Sequence, residues 1–171
     1  MDARSRRAGD WSAGWLWRKV NEGKVEGVVQ AKPVLVVEDN PDDEALALEA
    51  FRRKGVVNPV VVVRDGKAAL DWLLAVLEDE SRQLPALVLL DINLPLLDGI
   101  EVLRRINSHP QLATLPVVVL STSSEARDLR DCYGAGASGY VCKPVEFAAF
   151  QDAVGKIADF WLDLNIPPPP D

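Results

Sequence analysis

Cysteine and histidine are scarce: the 171 residues hold two of the first and one of the second. Cys132 and Cys142 are too few and too irregularly placed for a disulfide scaffold or a metal knuckle, and they read as reduced thiols in the cytoplasm. His109, ahead of Pro110, has no sequence neighbours with which to bind metal or join a catalytic triad, so it reads as loop surface. No apolar run approaches the roughly 20 residues that cross a bilayer, so no membrane span is expected. Basic charge is short as well, since 19 Lys and Arg face 26 Asp and Glu for a net charge of −7. Such a balance excludes a general nucleic-acid binder, because phosphate contact wants a basic face. A glycine-rich phosphate loop after the first apolar strand is also missing, which excludes a dinucleotide-binding fold.

What is present falls into three parts. Residues 1–31 read as an N-terminal extension; residues 1–30 carry six basic and four acidic side chains, against the acidity of the remainder. Trp11, Trp15 and Trp17 there form either a partner-binding stripe or part of a poorly ordered segment, and no cleavable export signal is evident. Residues 32–162 read as one globular domain. The proline-rich stretch 163–171 reads as a tail, with no room after the domain for a DNA-binding or catalytic output module.

The domain alternates two periodicities. Val34 to Val37 is a continuous apolar run, as a strand buried on both faces requires. Asn40 can cap the helix that follows, Pro41 suits its first position, and Asp42, Asp43 and Glu44 favour its positive end. Leu46, Ala47, Ala50 and Phe51 give this helix an apolar face, and Gly55 ends it. Strands at Val60 to Val63, Leu87 to Leu90, Val117 to Leu120 and Tyr140 to Cys142 follow. Between and after them come helices, one carrying Ala69, Leu70, Leu73 and Leu74, one carrying Gly99, Val102, Leu103 and Ile106, a polar one from Glu125, and one from Glu146. Five strands alternating with five helices predict an α/β, doubly wound, five-stranded parallel sheet with right-handed crossovers.

The chemistry collects at the strand exits. Glu38 and Asp39 close the first strand, Asp91 the third, Ser121 the fourth and Lys143 the fifth, and in open α/β sheets ligands bind at that edge. Three carboxylates in one crevice repel each other unless a proton or a hard cation neutralises them. All-oxygen ligation with room for water and phosphate favours Mg²⁺, which would offset charge on a phosphoryl group. Lys143 adds a point charge, Ser121 a hydroxyl, and Asp91 is the natural nucleophile for an acyl phosphate.

Val37-Glu38-Asp39-Asn40, Leu90-Asp91-Ile92-Asn93-Leu94-Pro95 with Asp98-Gly99, Val119-Leu120-Ser121, and Gly136 to Pro144 together resemble the receiver domain of two-component response regulators. The resemblance covers about residues 32 to 162. It implies the flavodoxin-like (βα)5 fold with strand order 2-1-3-4-5, and a phosphoryl group passed from a histidine kinase or phosphotransfer protein to Asp91. It also implies Mg²⁺ held by Glu38, Asp39, Asp91 and the main-chain carbonyl of Asn93, with Ser121 and Lys143 stabilising the phosphoryl group. Asn93 and Ser123 occupy the family's lifetime-tuning positions, and Ser121 with Tyr140 its switch positions. Tyr140 reads equally as a static half-buried strand residue. In similar receivers the bond before Pro144 is cis, which would aim Lys143 inward; both isomers stay open here.

The last helix adds an interface question. Phe147, Phe150, Val154, Ile157 and Trp161 recur at helical spacing, while Phe160 and Leu162 fall outside that stripe. Phe160, Trp161 and Leu162 therefore read either as a homodimer interface or as tail residues folded back on their own domain. With Asn40-Pro41-Asp42-Asp43 and Ser108 to Pro116, this ending resembles the stand-alone regulators paired with phytochrome histidine kinases, a group that dimerises through the end of the last helix. The function expected is a phosphorylatable switch that acts through protein contacts rather than an enzyme. The alternatives are an intermediate or phosphate sink in a phosphorelay, a phosphorylation-independent scaffold, and an aspartyl-phosphate phosphohydrolase. The phosphohydrolase reading is weak, because Asn93 stands where it needs a second Asp.

Overall fold

Strands that are apolar at every position need cover on both faces, and two sets of helices supply it. The computed structural model describes residues 31–168. In chain order it contains β1 (Val34–Val37), α1 (Pro41–Arg53), β2 (Val60–Val63), α2 (Gly66–Leu77), β3 (Leu87–Leu90), α3 (Gly99–Ser108), β4 (Val117–Ser121), α4 (Ala126–Gly134), β5 (Gly139–Cys142) and α5 (Phe147–Ala158). The strands are parallel, in the order β2-β1-β3-β4-β5. This is the expected doubly wound, flavodoxin-like (βα)5 sheet. Trp11, Trp15 and Trp17 lie outside the described residues.

Successive strand residues face opposite sides, and each side has its own core. Leu35, Val37, Val88, Leu90, Val117 and Val119 pack with Leu73 of α2, Val102, Leu103 and Ile106 of α3 and Cys132 of α4. The intervening Val34, Val36, Leu87, Leu89, Val118 and Leu120 pack with Ala47 and Phe51 of α1 and Phe150 and Val154 of α5. Each fully buried Val or Leu contributes about 1.5–3 kcal/mol, so the central strands β1, β3 and β4 anchor the sheet and fix where their ends emerge. The first helix starts as its sequence requires: the Asn40 side chain accepts from the N–H groups of Asp42 (2.9 Å) and Asp43 (3.3 Å), ahead of Pro41. It ends at Gly55, whose φ of +68° is a conformation side chains disfavour.

Three helical positions differ from the expected pattern. In α2, Trp72 and Val76 are buried while Leu74 is 43% exposed; the larger apolar area of Trp72 takes the inner side and turns Leu74 outward. Phe147 is 58% exposed, because it occupies the first turn of α5 at the carboxyl edge, where the strand surface ends. Beyond α5 the chain continues as a π-helix, Asp159–Leu164, closed by the Asn165 N–H donating to the Phe160 carbonyl at 2.7 Å. Wider turns shift the phase of the stripe. Trp161 and Leu162 thereby both rest on the core between α1 and α5, and Phe160 is left 49% exposed. Of the three interface candidates, two fold back on their own domain.

That phase shift has a measurable signature. Leu162→Ala should cost about 1–2 kcal/mol in urea unfolding, and Phe160→Ala should stay within about 0.5 kcal/mol of the parent. An ordinary α-helical ending would give no such bias toward Leu162.

Candidate functional site at the carboxyl edge of the sheet

Backbone ladders carry four residues to the same edge. Glu38 donates its N–H to the Val63 carbonyl at 3.0 Å, Asp91 to the Val37 carbonyl at 3.0 Å, and Lys143 to the Ser121 carbonyl at 2.7 Å. Glu38, Asp91, Ser121 and Lys143 are all buried there, whereas Asp39 is exposed. The main chain therefore fixes each group before its side chain makes any contact.

Lys143 is the centre of the arrangement. Its Nζ donates to Glu38 Oε2 at 2.7 Å, Asp91 Oδ2 at 2.7 Å and Asp43 Oδ2 at 2.8 Å, with only 4% of the side chain exposed. Burial disfavours the ammonium, yet hydrogen bonds to three carboxylates outweigh it and push the Lys143 pKa above its ordinary value. Glu38 shifts in the same direction, which for a carboxyl group favours the neutral form. Burial raises its pKa above the usual carboxylate value, against the pull of Lys143. Asp43 was read from sequence only as a first-turn helix acid. No local sequence signal marks it, since its contact with Lys143 joins residues 100 positions apart.

The other oxygen of Asp91, Oδ1, accepts the Asn93 N–H at 2.9 Å. With both oxygens held, the carboxylate rotamer is set. Oxygens of Glu38, Asp39 and Asp91 lie within 4.8 Å of one another. Three hard carboxylate donors with one exposed member, open toward water, fit a small divalent cation. The loop beyond is tight: a Cβ on Gly99 would lie 2.5 Å from the Asp91 carbonyl oxygen and 2.6 Å from Ile92 Cα. Only glycine lets α3 begin this close to the acceptor loop, with Asp98 as its cap through the Glu101 N–H at 2.9 Å.

On the opposite side, Ser121 Oγ accepts the Ser123 N–H at 3.2 Å. Ser123 is turned toward α4, its hydroxyl donating to Asp128 Oδ2 at 2.5 Å and accepting from the Glu125 N–H at 3.3 Å. Tyr140 is half-buried and donates its hydroxyl to the Ser123 carbonyl at 2.9 Å, and burial pushes its phenol pKa above the usual value. Lys143 reaches the carboxylates across a trans bond to Pro144, since no cis peptide occurs among the described residues.

The response regulator receiver domain family matches residues 34–155. The chain belongs to that family. Among this receiver's relatives, the probable methanogenesis regulatory protein FilR2 of Methanothrix harundinacea is 42% identical, over 80% of this chain and 88% of its own. Response regulator Rcp1 of Synechocystis is 36% identical over 77% of this chain and 90% of its own, and its Mn²⁺-bound form superposes with a TM-score of 0.74 over 81% of this receiver and 99% of that chain. The phosphorylated cyanobacterial phytochrome response regulator RcpA, 39% identical, gives a TM-score of 0.75 over 81% of this receiver and 99% of that chain.

The buried cation predicts a stability effect. Lys143→Met leaves Glu38 and Asp91 buried without their counter-charge, and should lose about 3 kcal/mol in denaturant unfolding without divalent cations. Millimolar Mg²⁺ in the same measurement should offset part of the loss, by binding only the folded cluster.

Proposed function

We propose that this chain is a response regulator whose Asp91 accepts a phosphoryl group from a histidine kinase or a phosphotransfer protein, in a Mg²⁺-dependent reaction. The observation that carries the reading is the buried Asp91 carboxylate, held on one oxygen by the Asn93 N–H and on the other by Lys143. An Asp91 oxygen attacks phosphorus as the bond to the donor imidazole breaks, and the imidazole leaves. Mg²⁺, held by Glu38, Asp39, Asp91 and the Asn93 carbonyl, supplies charge neutralisation for the phosphoryl oxygens. Lys143 then pairs with the phosphoryl group in place of the Asp91 carboxylate, and the Ser121 hydroxyl donates to it. Asn93 and Ser123 would set its lifetime.

The reading extends to output. Ser121 and Tyr140 are the proposed switch, supported by their shared contacts with the Ser123 main chain. The acceptor domain is taken as 32–162, around the matched 34–155. A phytochrome histidine kinase is the proposed donor, supported by the likeness to RcpA. A cytoplasmic location belongs to the same reading, supported by the two free thiols. A homodimer through the last helical turn is supported by exposed Phe160, Leu164 and Ile166.

Incubation with acetyl phosphate and Mg²⁺ should add one phosphoryl group to the parent chain and none to Asp91→Asn, by intact-mass spectrometry; equal labelling of the two would overturn the assignment. For the interface, sedimentation velocity should show a dimer that Phe160→Asp converts to monomer. A parent chain that stays monomeric with and without phosphorylation removes the dimer from the reading.

A further inference from the structure

The ammonium of Lys143 has three N–H bonds and all three are used, one each on Glu38, Asp91 and Asp43. These partners are not equivalent. Glu38 and Asp91 belong to the carboxylate cluster with Asp39, and both change their bonding when a cation and a phosphoryl group arrive. On becoming an acyl phosphate, Asp91 would pass its carboxylate charge to the more strongly negative phosphoryl oxygens, and a bound cation would compete with Lys143 for Glu38. Asp43 is not a member of that cluster.

Asp43 is also held firmly. It sits in the first turn of α1, its N–H bound by the Asn40 cap at 3.3 Å. The Asn40 N–H in turn donates to Glu38 Oε1 at 3.0 Å, and Ala47 and Phe51 of the same helix are packed in the core with α5. At its far end α1 is joined to the segment after α5 by Lys54 and Asp159 at 2.5 Å. With 24% of its side chain exposed, Asp43 also keeps part of its hydration.

We propose that Asp43 is a positioning residue for phosphoryl transfer: it holds Lys143 Nζ at the acceptor when Glu38 and Asp91 release it, so that the ammonium meets the incoming phosphoryl oxygens already in place. This rests on the acceptor role proposed for Asp91. It opposes the simplest electrostatic expectation. As a further negative charge beside the acceptor, Asp43 would repel an anionic donor, and its neutralisation would speed the reaction. As the anchor of Lys143, its neutralisation slows the reaction, because small misplacements of a charged group cost rate steeply.

The two roles give opposite signs in one experiment. Phosphorylation by acetyl phosphate at saturating Mg²⁺ is followed over time by intact mass for the parent chain, Asp43→Asn, Asp43→Ala and Asp43→Glu, with Mg²⁺ binding and thermal unfolding measured on each. The expected result is a rate lowered about fivefold or more in both neutral variants, recovery of most of it in Asp43→Glu, and retained Mg²⁺ binding and folding. A rate equal to or above the parent's in Asp43→Asn overturns the anchor role, as does failure of Asp43→Glu to exceed Asp43→Asn. If the parent chain itself takes up no phosphoryl group, the acceptor reading has failed and this role falls with it. Labelling of the parent with unslowed Asp43→Asn overturns only the role of Asp43.

Discussion

One ammonium shared among three carboxylates is the contact around which the carboxyl edge of this domain is organised. Glu38, Asp91 and Asp43 come from the ends of two strands and the start of a helix, and without Lys143 their mutual repulsion would open the crevice. A buried ion cluster of this kind contributes little net stability, since taking the charges out of water costs about as much as their attraction returns. Its role is to hold a high density of negative charge in a fixed place. The energy that permits this comes from elsewhere, from the two apolar cores on either side of β1, β3 and β4.

The parallel sheet makes that arrangement possible. Each ladder continues one residue beyond the apolar run, so that the Glu38, Asp91 and Lys143 main chains are bonded to Val63, Val37 and Ser121. Placement is thus decided by backbone register, which depends on burial, rather than by the polar side chains themselves. The close packing of Gly99 against Asp91 and Ile92 belongs to the same scheme. Next to it Leu96 adopts φ +66°, an unfavourable conformation for a branched side chain that the surrounding loop must impose. Strain and charge are concentrated on the one edge where chemistry is done.

Most of this was readable from residue order because strand burial writes itself as continuous apolar runs, and polar residues at their ends then stand out. Asn40, Pro41 and Gly55 announced the limits of α1 for the same reason: caps act within a few residues of chain. Two features escaped, and a third, Leu162, stayed open between two readings. Leu74 competes with Trp72 for one face of α2, and period alone cannot rank two apolar candidates. Leu162 returns to the core only because the helix widens to π geometry after Ala158, a change with no local sequence mark. Asp43 looks like any acid favoured at a helix start; its contact with Lys143 joins residues 100 positions apart and is a property of the folded edge alone.

Two sides of the domain are tied to the Asp91 site, through different kinds of bond. Toward α4, the Ser123 main chain receives Tyr140 on its carbonyl and gives its N–H to Ser121, so Ser121 and β5 are joined through neutral, directional hydrogen bonds. Toward α1, the link is Lys143 with Asp43, a charge pair that shares its ammonium with Asp91. Neutral hydrogen bonds transmit position and are insensitive to salt; the ion pair transmits a change of charge and is partly screened at its 24% exposed end. Under the phosphorylation proposed for Asp91, the first link would respond to geometry and the second to charge. The segment that follows α5 and carries the exposed Phe160 is joined to the end of α1 by Lys54 and Asp159, so a candidate contact surface sits at the far end of the helix whose first turn Lys143 grips through Asp43.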